Sequence, residues 1–127
     1  MTNNNWYLLS EPGLLDTPAL VVFPERVRAN IRTAIDMVAG DPGRLRPHVK
    51  TNKSADVTRL MLDAGIRKFK CATIAEAEML GMCGAPDVLL AYQPLGPKLL
   101  RLVELIQKYP ETQYSRLTDH PDAAGQM

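Results

Sequence analysis

The sequence predicts an α/β fold of about five strand–helix units with parallel strands. Two observations carry this reading. Short apolar runs alternate with segments of helical period along the whole chain. Strand starts recur about every 20–25 residues, the length of a single βα unit of a (β/α)8 barrel. Short loops between such units argue for a parallel sheet with helices packed outside it. Five units can form an open doubly wound sheet or the first five-eighths of a barrel, and the pattern alone does not separate them. No G-x-G-x-x-G follows the first strand, which weakens the doubly wound option.

The first strand is expected at Thr17–Phe23, a run apolar on both faces, as a buried parallel strand requires. Pro24 then stands where a first helical residue tolerates proline, and Val27, Ile31, Ala34, Ile35 and Val38 follow at helical spacing up to Gly40. A second strand is expected over Leu45–Thr51, with Ser54 capping a helix that buries Val57, Leu60, Met61 and Ala64 before Gly65. The third unit is Lys68–Thr73. Thr73-Ile-Ala-Glu76 reads as a capping box, and Ala77, Leu80 and Gly81 give the following helix a small-residue face closed by Gly84. Val88–Tyr92 is the fourth strand, followed by a helix with Leu99, Leu102, Val103 and Ile106 on one side. Gln113–Thr118 is the fifth, then a helix from about Pro121, capped by Asp119 and cut short at Met127.

Composition narrows the functional classes. The chain has 127 residues, 46% hydrophobic and 23% charged, with a formal net charge of +1. That profile suits a globular domain and offers no broad electrostatic case for nucleic acid or an anionic membrane. Cys71 and Cys83 form neither a disulfide framework nor, with His48 and His120, a zinc-finger spacing. Met1–Ser10 lacks the basic start and apolar run of a signal peptide, and no run of eighteen apolar residues occurs, so a cytoplasmic protein is expected.

The segment richest in chemistry is Arg44-Leu-Arg-Pro-His-Val-Lys-Thr-Asn-Lys53. Alternation along a strand puts Arg46, His48 and Lys50 on one face and Leu45, Pro47, Val49 and Thr51 on the other. The second set suits helices outside a barrel, so the cationic set points inward. An unpaired lysine deep in a barrel would cost several kcal/mol, but Lys50 stands at the carboxyl end of its strand, where barrel active sites open. A lysine amine condenses with an aldehyde only when unprotonated, and partial burial beside cations such as Arg46 would favour that form. The plain alternative is a solvated surface charge.

The stretch Leu15-Asp-Thr-Pro-Ala-Leu-Val-Val22 with Arg26-Val-Arg-Ala-Asn-Ile31 resembles the opening of the D-threonine aldolase and D-serine dehydratase group, alanine-racemase-like enzymes of fold type III that use pyridoxal 5'-phosphate (PLP). Arg46-Pro-His-Val-Lys-Thr51 is similar to the group's cofactor-binding segment, whose lysine holds PLP. Cys71-Ala-Thr-Ile-Ala-Glu-Ala-Glu78 and Asp87-Val-Leu-Leu-Ala-Tyr-Gln93 resemble the segments that follow. Asn52 stands where many members have His. The resemblance covers nearly the whole chain from about Leu14.

It implies that residues 1–127 are the N-terminal part, about five βα units, of an alanine-racemase-like (β/α)8 TIM barrel. The remaining barrel and a C-terminal β-domain would be absent. It implies a PLP-dependent amino-acid lyase acting on D- or β-hydroxy amino acids through a Schiff base on Lys50. A divalent metal of such a parent enzyme would be bound by residues outside this chain. Among the other residues, His48 either touches cofactor or substrate, or supports Lys50. Thr73 is a helix cap or a contact at the same mouth, and Gln93 a candidate contact to the PLP ring. Arg46 suits an ion pair with an inward acid. Lys53 is expected to point to solvent and Lys70 to sit mid-strand opposite Phe69. Cys71 and Cys83 suit core positions, Glu76 the capping box and Glu78 a solvated helix face. A five-unit piece exposes strand edges and apolar surface, so homodimerisation or other self-association and weak or no turnover are expected. Competing readings are a racemase or PLP-homeostasis protein of the same fold, and a non-enzymatic anion-binding module using Arg44, Arg46, His48, Lys50 and Lys53.

Overall fold

Alternation of buried and exposed side chains builds one parallel sheet in the computed structural model, which describes residues 5–125. Strands β1 (Lys68–Cys71), β2 (Asp87–Leu90) and β3 (Gln113–Arg116) pair in sequence order, with Lys68 opposite Asp87 and Asp87 opposite Gln113. Phe69, Cys71, Val88 and Leu90 are fully buried on one face, whereas Lys68, Lys70, Asp87 and Leu89 lie on the other. The chain is therefore α/β with a parallel sheet, as expected.

The helices form in their expected places. Helix α1 (Pro24–Met37) starts at a proline and buries Ile31, with Val27 and Ile35 packed against the core. Helix α2 (Ala55–Asp63) is capped by Ser54, whose Oγ accepts from the amide of Val57 at 3.3 Å. Helix α3 (Ile74–Met82) is capped by Thr73, whose Oγ1 accepts from the amide of Glu76 at 3.1 Å. Helix α4 (Pro97–Lys108) buries Leu99, Leu102 and Leu105. The core lies between these four helices and the face of Phe69 and Val88. Gly81 on α3 is where the third and fifth units meet. A methyl group there would strike the Tyr114 hydroxyl, which donates to the carbonyl of Ala77, and would come within 2.8 Å of the Tyr109 ring.

Two expected strands do not form. Thr17–Phe23 belongs to no strand, and Leu20 (79% exposed), Val21 and Val22 face outward. Such a run becomes a strand only when a neighbouring strand pairs with its backbone. The segment that would flank it, Leu45–Thr51, makes a single parallel bridge from His48 to Lys70 before the backbone winds into a 3-10 turn at Val49–Thr51. Pro47 accepts from the amide of Lys70 at 2.9 Å but has no N–H to offer in return. The first segment is instead held to α1 by Trp6, which stacks edge-on against Phe23 and under the guanidinium of Arg26. A cleft of about 390 Å3 remains between this segment, α1 and α2, with Thr51 and Asn52 on its wall.

A short final helix α5 (Pro121–Ala124) begins at the expected proline, but its cap is His120, not Asp119. The Nδ1 of His120 accepts from the amide of Asp122 at 3.3 Å, while Asp119 turns its own amide to Gln93. The expected stop of this helix at Met127 lies outside the described residues.

Candidate functional site

Parallel strands present all their carboxyl ends at one edge of the sheet, and the four expected site residues gather there. His48 makes the bridge to β1 and Lys50 follows it, Thr73 follows β1, and Gln93 follows β2. With strands about 4.8 Å apart, this row spans about 10 Å, a width suited to a small ligand.

Lys50 is exposed. It stands near His48 as expected, its ammonium acting on the imidazole, although a 3-10 turn interrupts the strand after His48. Val49 is fully buried beneath the turn, on the opposite side as alternation requires, and Lys50 emerges on the open side. The turn is tightly bonded. The Lys50 amide donates to Nδ1 of His48 at 3.3 Å, Thr51 Oγ1 donates to the His48 carbonyl at 3.2 Å, and the Lys53 amide donates to the Val49 carbonyl at 2.8 Å.

His48 is held below its ordinary imidazole range, first by burial and then by the ammonium groups of Lys50, Lys70 and Lys53, against the opposing pull of Glu76. An unprotonated Nδ1 is also what the bond from the Lys50 amide requires. Geometry and charge agree on a neutral ring that carries its proton on Nε2. His48 therefore offers a hydrogen-bond donor without a charge.

Two of the surrounding cations are paired with carboxylates, Arg46 first. It forms a two-pronged ion pair with Asp87, each contact 2.7 Å, and donates to the carbonyl of Phe69 at 3.2 Å, so its charge is spent joining the His48 segment to β1 and β2. The ion pair with an inward acid is as the sequence suggested. Lys53 is largely exposed, as expected, but it is not free. Its ammonium pairs with Glu76, whose side chain is 5% exposed. Asp87→Ala is expected to cost about 1 kcal/mol in urea unfolding, because the guanidinium left behind is partly solvated.

Glu76 is the residue that sequence reasoning undervalued. Its amide completes the cap on Thr73, but its carboxylate accepts from Ala72, one residue before the cap, at 2.8 Å as well as from Lys53. Burial pushes this carboxyl up. The hydrogen bonds from Lys53 and the Ala72 amide, with the charge of Lys53, outweigh burial and hold it below the ordinary glutamate range. Its native state thus binds fewer protons than the unfolded chain. The stabilisation is complete above the ordinary glutamate value and fades as pH falls through the lower native value. Glu76→Gln is expected to be less stable by about 1 kcal/mol at pH 7. The difference from the parent chain closes as pH falls below the ordinary glutamate range and through the lower native value, and denaturant curves across that range measure it.

Thr73 spends its hydroxyl oxygen on the helix cap. Gln93 uses its side-chain oxygen to accept from Thr118 Oγ1 at 3.1 Å and from the Asp119 amide at 2.8 Å, tying the ends of β2 and β3 together. Its NH2 has no protein partner among the described residues. Lys70 lies mid-strand opposite Phe69 and Cys71, as expected. Cys71 is fully buried, and burial together with Glu76 pushes its thiol up to about 12, so it is an inert core residue. Glu78 is not simply solvated but pairs with Lys108 at 2.8 Å, joining α3 to α4. Among the described residues no three His, Cys, Asp or Glu side chains are grouped to hold a metal ion, and no helix is long and apolar enough to cross a membrane.

No family model matches the chain. It is 35% identical over 91 residues to the D-threo-3-hydroxyaspartate dehydratase of Delftia sp. (strain HT23), covering 72% of this chain and 24% of that protein. It is 29% identical over 89 residues to the D-threonine aldolase of Arthrobacter sp., covering 70% and 24%. The crystal structure of D-threonine aldolase from Filomicrobium marinum superposes with a TM-score of 0.72 at 27% identity, over 85% of this chain and 29% of that one. The chain spans about a quarter of the length of the curated relatives it matches.

Proposed function

We propose, from the premise that the chain belongs to the D-threonine aldolase-like family, that it is the cofactor-anchoring segment of a PLP-dependent amino-acid lyase with Lys50 as the anchor. The observation that carries this reading is the exposed Lys50 amine on a rigid turn at the carboxyl edge of a parallel sheet. PLP, when bound, supplies an aldehyde for the amine and an electron sink for charge developing at the α-carbon of an amino acid.

The residues present fit that group. Lys50 contributes an accessible primary amine. Lys53 and Lys70 supply positive potential near His48, suited to an anionic, phosphorylated aldehyde. Neutral His48 offers its Nε2–H to an oxygen of cofactor or substrate, and the Gln93 NH2 offers a second donor across the edge. Thr73 lines the mouth between them. Substrates of the parent enzyme are D- or β-hydroxy amino acids, in keeping with what the names of the two relatives describe.

The same reading takes residues 1–127 as part of an alanine-racemase-like (β/α)8 barrel, with Thr17–Phe23 and Leu45–Thr51 as barrel strands that become regular once their neighbours are present. The exposed apolar residues Leu14, Leu20, Val21 and Val22 then become buried, and the 127-residue chain by itself is inactive and self-associating. Sedimentation of the isolated chain is expected to show mass rising with concentration, whereas a constant monomer mass would count against the partial-barrel reading.

Titration with PLP tests the proposal. An absorbance band near about 410–430 nm that is lost on replacing Lys50 supports it. Binding without that band, weakening steeply with salt, would favour an anion-binding module instead.

A further inference from the structure

We infer that the Lys53–Glu76 ion pair is a positioning device that holds the 49–53 turn in the shape presenting Lys50 to its aldehyde. This rests on the reading of Lys50 as the cofactor anchor and adds two residues to its machinery.

The backbone shows the need for such a device. Lys53 has φ +48°, in the left-handed region that a residue with a side chain enters only with strain. Glycine or asparagine would adopt it more readily, yet this chain has lysine. The residue bends the backbone so that its amide closes onto the Val49 carbonyl, and so that the next segment can begin α2 with the Ser54 cap. Only Thr51 and Asn52 separate it from Lys50, so the same bend fixes where Lys50 points.

The side chain gives the bend a cross-link. Glu76 is almost fully buried on the first turn of α3, and its second oxygen is fixed by the Ala72 amide at 2.8 Å. Its carboxylate is therefore immobile, with one oxygen turned toward Lys53. The Lys53 side chain is itself largely exposed, so the pair gains little as a surface ion pair. Its value is geometric. It links the end of the Lys50 turn to the end of β1, across the mouth of the edge where Lys50, His48 and Thr73 stand. The Arg46–Asp87 pair anchors the same segment from its other end. Lys50 thus lies between two ion pairs, each reaching a different strand–helix unit.

The test follows the lysines of one molecule against each other. PLP is added to the 127-residue chain at low concentration. The lysine amine adds to the aldehyde carbon and water leaves; borohydride then delivers hydride to carbon and solvent a proton to nitrogen, leaving a pyridoxyl-lysine that peptide mass mapping locates. In the parent chain most of the adduct is expected on Lys50. In Lys53→Met the ratio of Lys50 adduct to Lys98 and Lys108 adduct is expected to fall about tenfold, and Lys53→Arg to restore most of it. Should Lys53→Met fail to fold by circular dichroism, Lys53→Gly is read in the same way, because it removes the ammonium while relaxing the left-handed backbone. An unchanged Lys50 ratio in whichever variant folds overturns the inference. Labelling spread evenly in the parent chain would instead remove the cofactor-anchor reading beneath it, so the two failures are distinct.

Discussion

Lys50→Ala is expected to remove the imine absorbance and the trapped pyridoxyl adduct, leaving only the slow, scattered labelling of surface lysines. The effect is close to complete because no neighbour can substitute. Lys53 is occupied by Glu76, Lys68 donates to the carbonyl of Gly43 at 3.1 Å, and Lys70 is half-buried mid-strand on the open face. Lys50→Arg is expected to behave like the alanine variant, since a guanidinium keeps the charge but is not deprotonated to a nucleophile in water. Retained selective incorporation in either variant, read by mass mapping, would move the anchor to another residue. His48→Ala is a milder change. It removes the acceptor for the Lys50 amide, so selectivity for Lys50 is expected to drop while some incorporation persists.

Gly81→Ala is expected to be the most destabilising of the substitutions considered, by about 1–3 kcal/mol, through overpacking. Its methyl group meets the Tyr114 hydroxyl and the Tyr109 ring, both half-buried and locked between α3 and β3. Tyr114 has no free space to swing into without breaking its bond to the Ala77 carbonyl. Because the first obstruction is a single oxygen atom, Gly81→Ala combined with Tyr114→Phe is expected to be less destabilised than the sum of the two changes. A urea-unfolding double-mutant cycle reads this coupling directly. Additive losses would mean that the helix gives way elsewhere. This contact seats α3, and with it Glu76 and Thr73, against the sheet.

The two proposals depend on what local pattern can and cannot reveal. Helices α1 to α4 and strands β1 to β3 were legible because period, caps and punctuating glycines are properties of ten or so neighbouring residues. Ser54 and Thr73 cap where their spacing to the apolar positions says they do. The segments Thr17–Phe23 and Leu45–Thr51 carry the same local marks as the other strands, yet they lack ladder partners on both sides, and a ladder is a non-local property. Alternation correctly placed Arg46, His48 and Lys50, but nothing in the composition of Val49–Thr51 announces the 3-10 turn that ends the strand there.

The position of Lys50 at the carboxyl edge was legible in the sequence, and the residues around it were less so. Arg46 finds its acid 41 residues away in Asp87, and Lys53 finds Glu76 23 residues away. The first pair was anticipated only in kind. The second was hidden because the helix cap already explained Glu76, and an exposed turn already explained Lys53. One signal could have linked them. A glutamate in the first turn of a helix that follows a strand lies at the carboxyl edge of the sheet, beside a lysine that ends the neighbouring segment. Asp119 shows the reverse error, a good capping residue by type whose place is taken by His120 because Gln93 holds the Asp119 amide.

The location of a single borohydride-fixed pyridoxyl group in the unmodified chain bears most directly on this account. Six lysines compete for it, at positions 50, 53, 68, 70, 98 and 108. The account predicts that the Lys50 peptide carries most of the label at limiting PLP. A label shared among all six in proportion to their exposure would contradict it.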